Sequence, residues 1–283
     1  MDKRIISIDS TKLNTLQMCP RKFNLVFNET RSPLAKPDYL ERGSLIHRML
    51  QTYYTLKKYR TRWQQNNTTH EDVINICIRV GQWYAIKQQL DVEEVVEILF
   101  QFKEYCRFYE HDGWDRIIAV EQVGSLVLYE DDKICILYEM KPDLVLQLDN
   151  GIIAIDHKTA KQRKQPSKLA NQFMGYCFGL GINNIVVNKI GFQKTLKPHE
   201  RFNRHTLSYP NDVLEEWRDN TVWWIGKLLE HIADDYWPAN FTSCDKYAGC
   251  VFQDVCVKER VAREYELMRS FEIADHWDVG QNL

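Results

Sequence analysis

The stretch EMKPDLVLQLDNGIIAIDHKTAKQRKQPSK, residues 139–168, decides how the rest of the chain is read. Two apolar runs, LVLQL and GIIAI, flank Asp149-Asn150-Gly151, residues that tolerate the positive φ of a tight hairpin turn. Asp143 opens the first predicted strand and Asp156 closes the second, so antiparallel pairing carries both carboxylates to one end of the hairpin. Lys158 follows two residues later, and the period of two in a strand sets it on the same side as Asp156. Two acids and a lysine meeting at a sheet edge suit a divalent ion used for phosphodiester hydrolysis. The carboxylates would hold Mg2+ or Mn2+, and the ammonium would face the charge growing on phosphate. The plainer reading makes the acids strand-end caps and the lysine a solvated side chain.

A chain of 283 residues can form one large domain or two ordinary ones, and its 44% hydrophobic and 12% aromatic content predicts a globular fold. It contains no apolar run near ~18 residues, and MDKRIISIDS lacks a signal-peptide core, so a soluble, cytoplasmic protein without membrane contact is expected. Eight cysteines in such a chain argue for metal binding or free thiols over a disulfide framework. The net charge of −2 conceals an asymmetry: Lys158 to His205 holds ten Lys/Arg and one acid, a balance of +9 against −11 elsewhere. A basic segment directly after the paired acids suits a polyanion, and Lys161, Arg163, Lys164 and Lys168 are its candidate DNA contacts. The alternative is a solvated basic face.

Upstream, Asp9-Ser10 predicts an N-cap before a helix over TKLNTLQMCPRKFNLVF, which Pro20 should kink or end. A second helix is expected within 36–60, with Leu45, Ile46, Met49, Leu50, Tyr53 and Tyr54 at helical spacing and His47 among them. Residues 66–110 read as two amphipathic helices forming a helical lobe, with Cys77 and Cys106 in its core. Segments 116–123, 125–129 and 134–138 read as strands leading into the hairpin. Glu121, on the first of them, could face the acids, but such a residue is more often solvent-facing and it is left out of the site. After the basic loop a helix is expected from an N-cap at Ser167 to a stop at Gly181, with Gln172 and Tyr176 sharing one face. Two strands and a long helix over 211–236 follow, with Leu214, Trp217, Trp223, Trp224 and Leu228 expected in the core.

Cys244, Cys250 and Cys256 lie at five-residue gaps in a loop-rich stretch, and Cys19 is the leading fourth ligand. Zinc usually prefers a knuckle with a shorter gap, so an iron–sulfur cluster on four thiolates fits this spacing at least as well.

Taken in order, these motifs resemble the RecB-like branch of the PD-(D/E)xK nucleases, in the iron–sulfur form found in CRISPR-associated exonucleases and the AddB subunit. CPRKF at 19–23 resembles the family's first cluster cysteine, and RGSLIH at 42–47 its G-x-x-x-H motif. KPDLV carries the motif-two aspartate, IDHKT the D-x-K signature, and Gln172 with Tyr176 the Q-x-x-x-Y pair. Cys244, Cys250 and Cys256 match the C-terminal cluster ligands. Two features depart from the pattern: the first gap of the cysteine triplet is five residues where two is common, and Met140-Lys141-Pro142 stands where a glycine often precedes the aspartate.

The resemblance implies an α/β, restriction-endonuclease-like core with a mixed sheet, a helical insert and an iron–sulfur region. All would lie in one nuclease domain spanning 1–283: N-terminal helices over 1–60, insert over 61–113, core over 114–236 and cluster segment over 237–283. It implies Mn2+ or Mg2+ on His47, Asp143, Asp156 and the backbone carbonyl of His157, with Lys158 catalytic and Gln172 and Tyr176 positioning the strand. A structural 4Fe–4S cluster would sit on Cys19, Cys244, Cys250 and Cys256, with zinc as the alternative. The implied activity is exonucleolytic hydrolysis of DNA, at single-stranded ends. Homo-oligomers, helicases and CRISPR adaptation proteins are the partners the resemblance suggests. The rival from another class is a non-catalytic DNA-binding or adaptor subunit.

Overall fold

The turn at Asp149-Asn150 connects two strands in register, Leu148 opposite Gly151 and Leu144 opposite Ile155, and Gly151 adopts φ +132°. These positions come from a computed structural model, which describes residues 3–34, 38–59, 68–112, 116–160, 166–192, 196–246 and 249–277. Its elements are β1 (Arg4–Ile8), α1 (Ser10–Met18), α2 (Pro20–Phe23), β2 (Arg31–Pro33), α3 (Asp38–Lys58), α4 (His70–Lys87) and α5 (Val92–Phe108). The strands β3 (Ile117–Val120), β4 (Gly124–Glu130), β5 (Ile134–Met140), β6 (Leu144–Leu148) and β7 (Gly151–Ala160) come next. They are followed by α6 (Asn171–Leu180), β8 (Asn184–Gly191), α7 (Pro198–Arg201), β9 (Phe202–Ser208) and α8 (Asn211–Asp234). The chain closes with α9 (Gln253–Cys256), α10 (Arg260–Ser270) and β10 (Phe271–Ile273). It is a mixed α/β fold. Among the described residues, no helix is long and apolar enough to cross a membrane.

The chain divides into two units, one of residues 1–36, 124–140 and 211–282, the other of residues 37–123 and 141–210. In the first, Asp9 caps α1 by accepting from the Thr11 and Lys12 N–H groups, at 2.5 and 2.9 Å. Pro20 ends that helix and opens α2. Leu16, Phe23 and Leu228 are buried together, and Trp224 and Trp237 pack on them. The sheet here runs β1-β5-β4, with β1 parallel to β5. Segments 125–129 and 134–138 therefore do not extend the hairpin's own sheet. Leu214, Trp217, Ile225 and Leu228 give α8 its buried face. Trp223, expected in the core, is 56% exposed, because its helical position falls away from that stripe.

In the second unit the five strands run β3-β6-β7-β8-β9. All neighbours are antiparallel except β7 and β8, which pair in parallel from Ala154–Ile185 to Ala160–Gly191. This corrects one expectation: β7 does not stop at Asp156, because β8 supplies ladder partners for four further residues. The helices α3, α4 and α5 share one apolar core with the sheet, built from Leu45, Met49, Tyr53, Cys77, Phe102 and Cys106 against Leu144, Ile155, Ile190 and Phe202. A reciprocal cap starts α4 at His70: Thr69 Oγ1 accepts from the Asp72 N–H, and Asp72 Oδ2 accepts from the Thr69 N–H.

α6 also starts later than expected. Ser167 does not cap it; Ala170 precedes Asn171 with no side-chain cap. Leu169 is exposed, so extending the helix backwards would bury nothing, whereas Phe173, Met174, Tyr176 and Cys177 anchor the observed span.

Gly81 lets α4 approach α3: a Cβ there would lie 2.5 Å from Met49 Sδ and 2.9 Å from its Cγ. Gly81→Val is expected to destabilise this unit by about 1–3 kcal/mol through overpacking, read as a lower thermal midpoint. An unchanged midpoint would show that Met49 can yield.

Candidate active site and metal centre

The hairpin register sets Asp143, just before β6, beside Asp156 on β7. Asp143 Oδ2 accepts the His157 N–H at 2.5 Å. From α3, His47 turns its Nδ1 towards Asp143 Oδ1 at 3.5 Å and Glu121 Oε1 at 3.7 Å. Ligand atoms of His47, Glu121 and Asp143 all lie within 4.8 Å of one another. Lys158 Nζ stands 2.8 Å from Asp156 Oδ2 and donates to Gln172 Oε1 at 2.8 Å. Gln172 Nε2 donates to Asp156 Oδ1 and to the Tyr176 hydroxyl, both at 3.0 Å, and that hydroxyl donates to the Lys141 carbonyl at 2.9 Å. The predicted acids, histidine, lysine, glutamine and tyrosine therefore meet in one place.

Glu121 joins them, contrary to its reading as solvent-facing. Its side chain is 3% exposed, its N–H donates to the Asp143 carbonyl at 3.0 Å, and its φ is +48°. Alternation could not assign its direction, because the register shifts between Ile117 and Ala119 and residue 121 leaves extended geometry altogether. A left-handed conformation on a non-glycine residue is a local cost often found at functional sites.

Gln172 and Tyr176 are tied into the site itself. Tyr176 is only 5% exposed, and the Gln172 amide is engaged by Asp156 and Lys158. Their hydrogen bonds orient the acid and the lysine.

His157 brings a shell of partners that motif reading did not reveal. Its imidazole stacks on Tyr54 at 5.2 Å between centroids, and Asn188 Nδ2 lies 2.8 Å from its Nδ1. Asn188 also donates to the Tyr105 hydroxyl at 2.7 Å. Burial pushes the His157 imidazole down to about 3, so it is neutral at physiological pH. These contacts clamp the strand segment between Asp156 and Lys158. Of the candidate DNA contacts, Lys168 is exposed in the turn before α6, whereas Lys161, Arg163 and Lys164 lie outside the described residues.

The electrostatics separate the two aspartates. Burial and the neighbouring Asp143 charge raise Asp156, against the pull of Lys158. Burial acts upward most strongly on Asp143 too, but His47, His157 and Lys158 together hold that carboxyl low. Burial also pushes Glu121 up. Burial would lower His47, yet Asp143 and Glu121 push it up to about 10. With His47 neutral, three carboxylates against the Lys158 and Lys141 side chains would still leave a negative, nitrogen-and-oxygen-lined site, a donor set that suits a divalent ion.

An ion held by His47 would have to displace the His47 proton. Below about 10 each ion bound therefore releases about one proton, and affinity is expected to rise about tenfold per pH unit from pH 7 to 9. Calorimetry of Mn2+ binding in buffers of different ionisation enthalpy reads this directly; a pH-independent affinity would mean that His47 is not a ligand. The linkage has the opposite sign for the metal-free fold. A raised histidine pKa lends stability that is complete below 6.5 and is lost as pH rises through about 10.

In the first unit, the thiol of Cys244 is pushed up by burial and then by the nearby Cys250, Cys256 and Cys19. The Asn240 N–H donates to Cys19 Sγ at 3.4 Å, and Arg21 Nη1 lies 4.0 Å from Cys256 Sγ.

A mixed sheet whose hairpin gathers acids, a lysine and a helix-borne histidine is the frame of a metal-assisted phosphodiesterase. The family profile described as PD-(D/E)XK nuclease superfamily matches residues 9–257, and the chain belongs to that superfamily. Its nucleases use divalent metals. Among solved structures, the chain is similar to one described as "Crystal structure of SSO0001", at 13% identity and a TM-score of 0.39, with 91% of this chain and 88% of that chain covered. No curated protein matches the chain.

Proposed function

We propose that this protein is a metal-dependent DNA exonuclease that hydrolyses phosphodiester bonds at single-stranded ends. The observation that carries the reading is the convergence of His47, Glu121 and Asp143 ligand atoms within 4.8 Å, next to the Lys158–Asp156 pair at 2.8 Å. His47, Asp143, Asp156 and the His157 carbonyl would hold Mn2+ or Mg2+, with Glu121 as a further carboxylate. When bound, the ion supplies Lewis-acid charge against a phosphate oxygen. Lys158 stabilises the negative charge that grows on phosphate, and Gln172 keeps that ammonium and Asp156 oriented. Tyr176, buried and tied to the Lys141 carbonyl, fixes Gln172 in turn. The preference for single-stranded ends rests on the motif resemblance, as does association with a helicase or CRISPR adaptation proteins.

The second unit of the proposal is a structural 4Fe–4S cluster on Cys19, Cys244, Cys250 and Cys256. The nearness of Cys250, Cys256 and Cys19 to Cys244, with donors close to the Cys19 and Cys256 sulfurs, supports it. Hydrolysis moves no electrons, so the cluster would serve folding.

The experiment is degradation of 5′- and 3′-labelled single-stranded DNA by anaerobically purified protein with Mn2+ or Mg2+. Progressive shortening from one labelled end, abolished by chelator, is expected. Binding without cleavage under either ion, on single- and double-stranded DNA, would hand the site to the adaptor reading.

A further inference from the structure

The helices α3 and α4 enclose a groove of about 690 Å3 that the active site does not use. On α3 it is lined by Arg48, Gln51 and Thr52, and on α4 by Arg79, Trp83 and Lys87. Gln51 and Thr52 follow Arg48 by three and four residues, and Arg79, Trp83 and Lys87 are four apart, so each set shares a helical face. Three cations line the groove, and none of its lining residues is acidic. Trp83 stands 63% exposed in it, with Lys87 Nζ 5.5 Å from the ring centroid. An isolated exposed indole is unremarkable on a protein surface. An indole flanked by cations inside one concavity is the pairing that binds single-stranded nucleic acid, because phosphates meet the charges while an unstacked base meets the ring. A duplex offers no such free base face.

Arg48 follows His47 directly in α3, about 100° further round the helix, so the groove runs along an adjoining face of the helix that carries the proposed metal ligand.

We propose that this groove holds the single-stranded substrate away from the scissile bond, Trp83 stacking on a base while Arg48, Arg79 and Lys87 contact phosphates. The direction of travel towards His47 rests on the nuclease reading; the binding itself does not.

The test is anisotropy of a fluorescein-labelled oligo(dT) 20-mer with the full chain in EDTA, which prevents cleavage. Trp83→Ala is expected to weaken binding about tenfold. The double variant Arg79→Ala/Lys87→Ala is expected to reduce the slope of log K against log salt by about 1.4, at about 0.7 per lost contact. Trp223→Ala, an exposed tryptophan in the other unit, serves as control and should bind within about twofold of wild type. Photocrosslinking with a bromodeoxyuridine oligonucleotide should map to the α4 peptide containing Trp83, a readout that needs no variant. Binding unaltered by Trp83→Ala and by the Arg79→Ala/Lys87→Ala double variant, with crosslinks elsewhere, overturns the proposal. So does displacement of the oligonucleotide by polyglutamate with no effect of Trp83→Ala, which would make the groove a dock for acidic protein. A protein that binds with this signature but never cleaves sinks only the nuclease reading. One that cleaves while Trp83→Ala binds normally sinks only the groove.

Discussion

Lys158→Ala is expected to leave the fold intact and to lower the rate of DNA cleavage about a hundred- to a thousandfold. The Lys158 side chain is 42% exposed, so its removal opens no core cavity. What it does remove is the cation beside Asp156, a carboxylate only 1% exposed whose pKa burial already raises. Without that partner the Asp156 carboxyl should rise further and hold its proton against the metal. The variant should therefore need more Mn2+ for half-maximal rate as well as turning over more slowly at saturation. Lys158→Arg separates the two effects, since it keeps a charge but not the single-atom reach into Asp156 and Gln172. A metal titration and a single-turnover rate for each variant read both. Wild-type rates in a folded Lys158→Ala protein would sink the assignment of this lysine.

Cys19→Ser carries the second large effect, this time on stability. Cys19 lies between α1 and α2, and the backbone around it is already bound to the C-terminal segment. Asn240 Nδ2 donates to the Met18 carbonyl at 2.9 Å and the Arg21 N–H to the Pro238 carbonyl at 3.1 Å. A cluster on the four cysteines would bolt the two ends of the chain together, and metal-binding free energy of this kind is folding free energy. Loss of one thiolate should bleach the visible absorbance and lower the thermal midpoint of this unit by on the order of 10 °C or more. Cys77→Ala is the matched contrast: its thiol is fully buried in the other unit's core, so it should cost packing without changing colour. Metal analysis of the wild type separates iron from zinc. Protein that carries neither, with Cys19→Ser melting as the wild type does, would reduce the four thiols to packing.

Much of the site can be read from local pattern. The Asp-Asn-Gly turn between two β-type runs predicts the hairpin, and its register brings Asp143 next to Asp156 with Lys158 on the same side. His47 and the Gln172–Tyr176 pair were legible through motif spacing. Within single helices, too, periodicity located Leu45, Ile46, Met49, Leu50, Tyr53 and Tyr54 on the buried side of α3. Each of these readings depends on a period, a cap or a turn, which are properties of neighbouring residues.

Other features arise between segments far apart in sequence. Glu121 reaches His47 and Asp143 through a register shift in its strand and a left-handed residue, neither of which strand alternation can foresee. β7 runs past Asp156 because a parallel neighbour completes its hydrogen bonds. Tyr54, Tyr105 and Asn188 close around His157 from two helices and a strand. Trp83 and Trp223 stay exposed because their helices present them away from the buried stripes. The linear chain therefore determined the chemistry available and the hairpin that aligns its centre. Which further carboxylate joins that centre, and which cations and aromatic ring share a groove between α3 and α4, depended on packing, since the energies that decide them come from contacts across the fold.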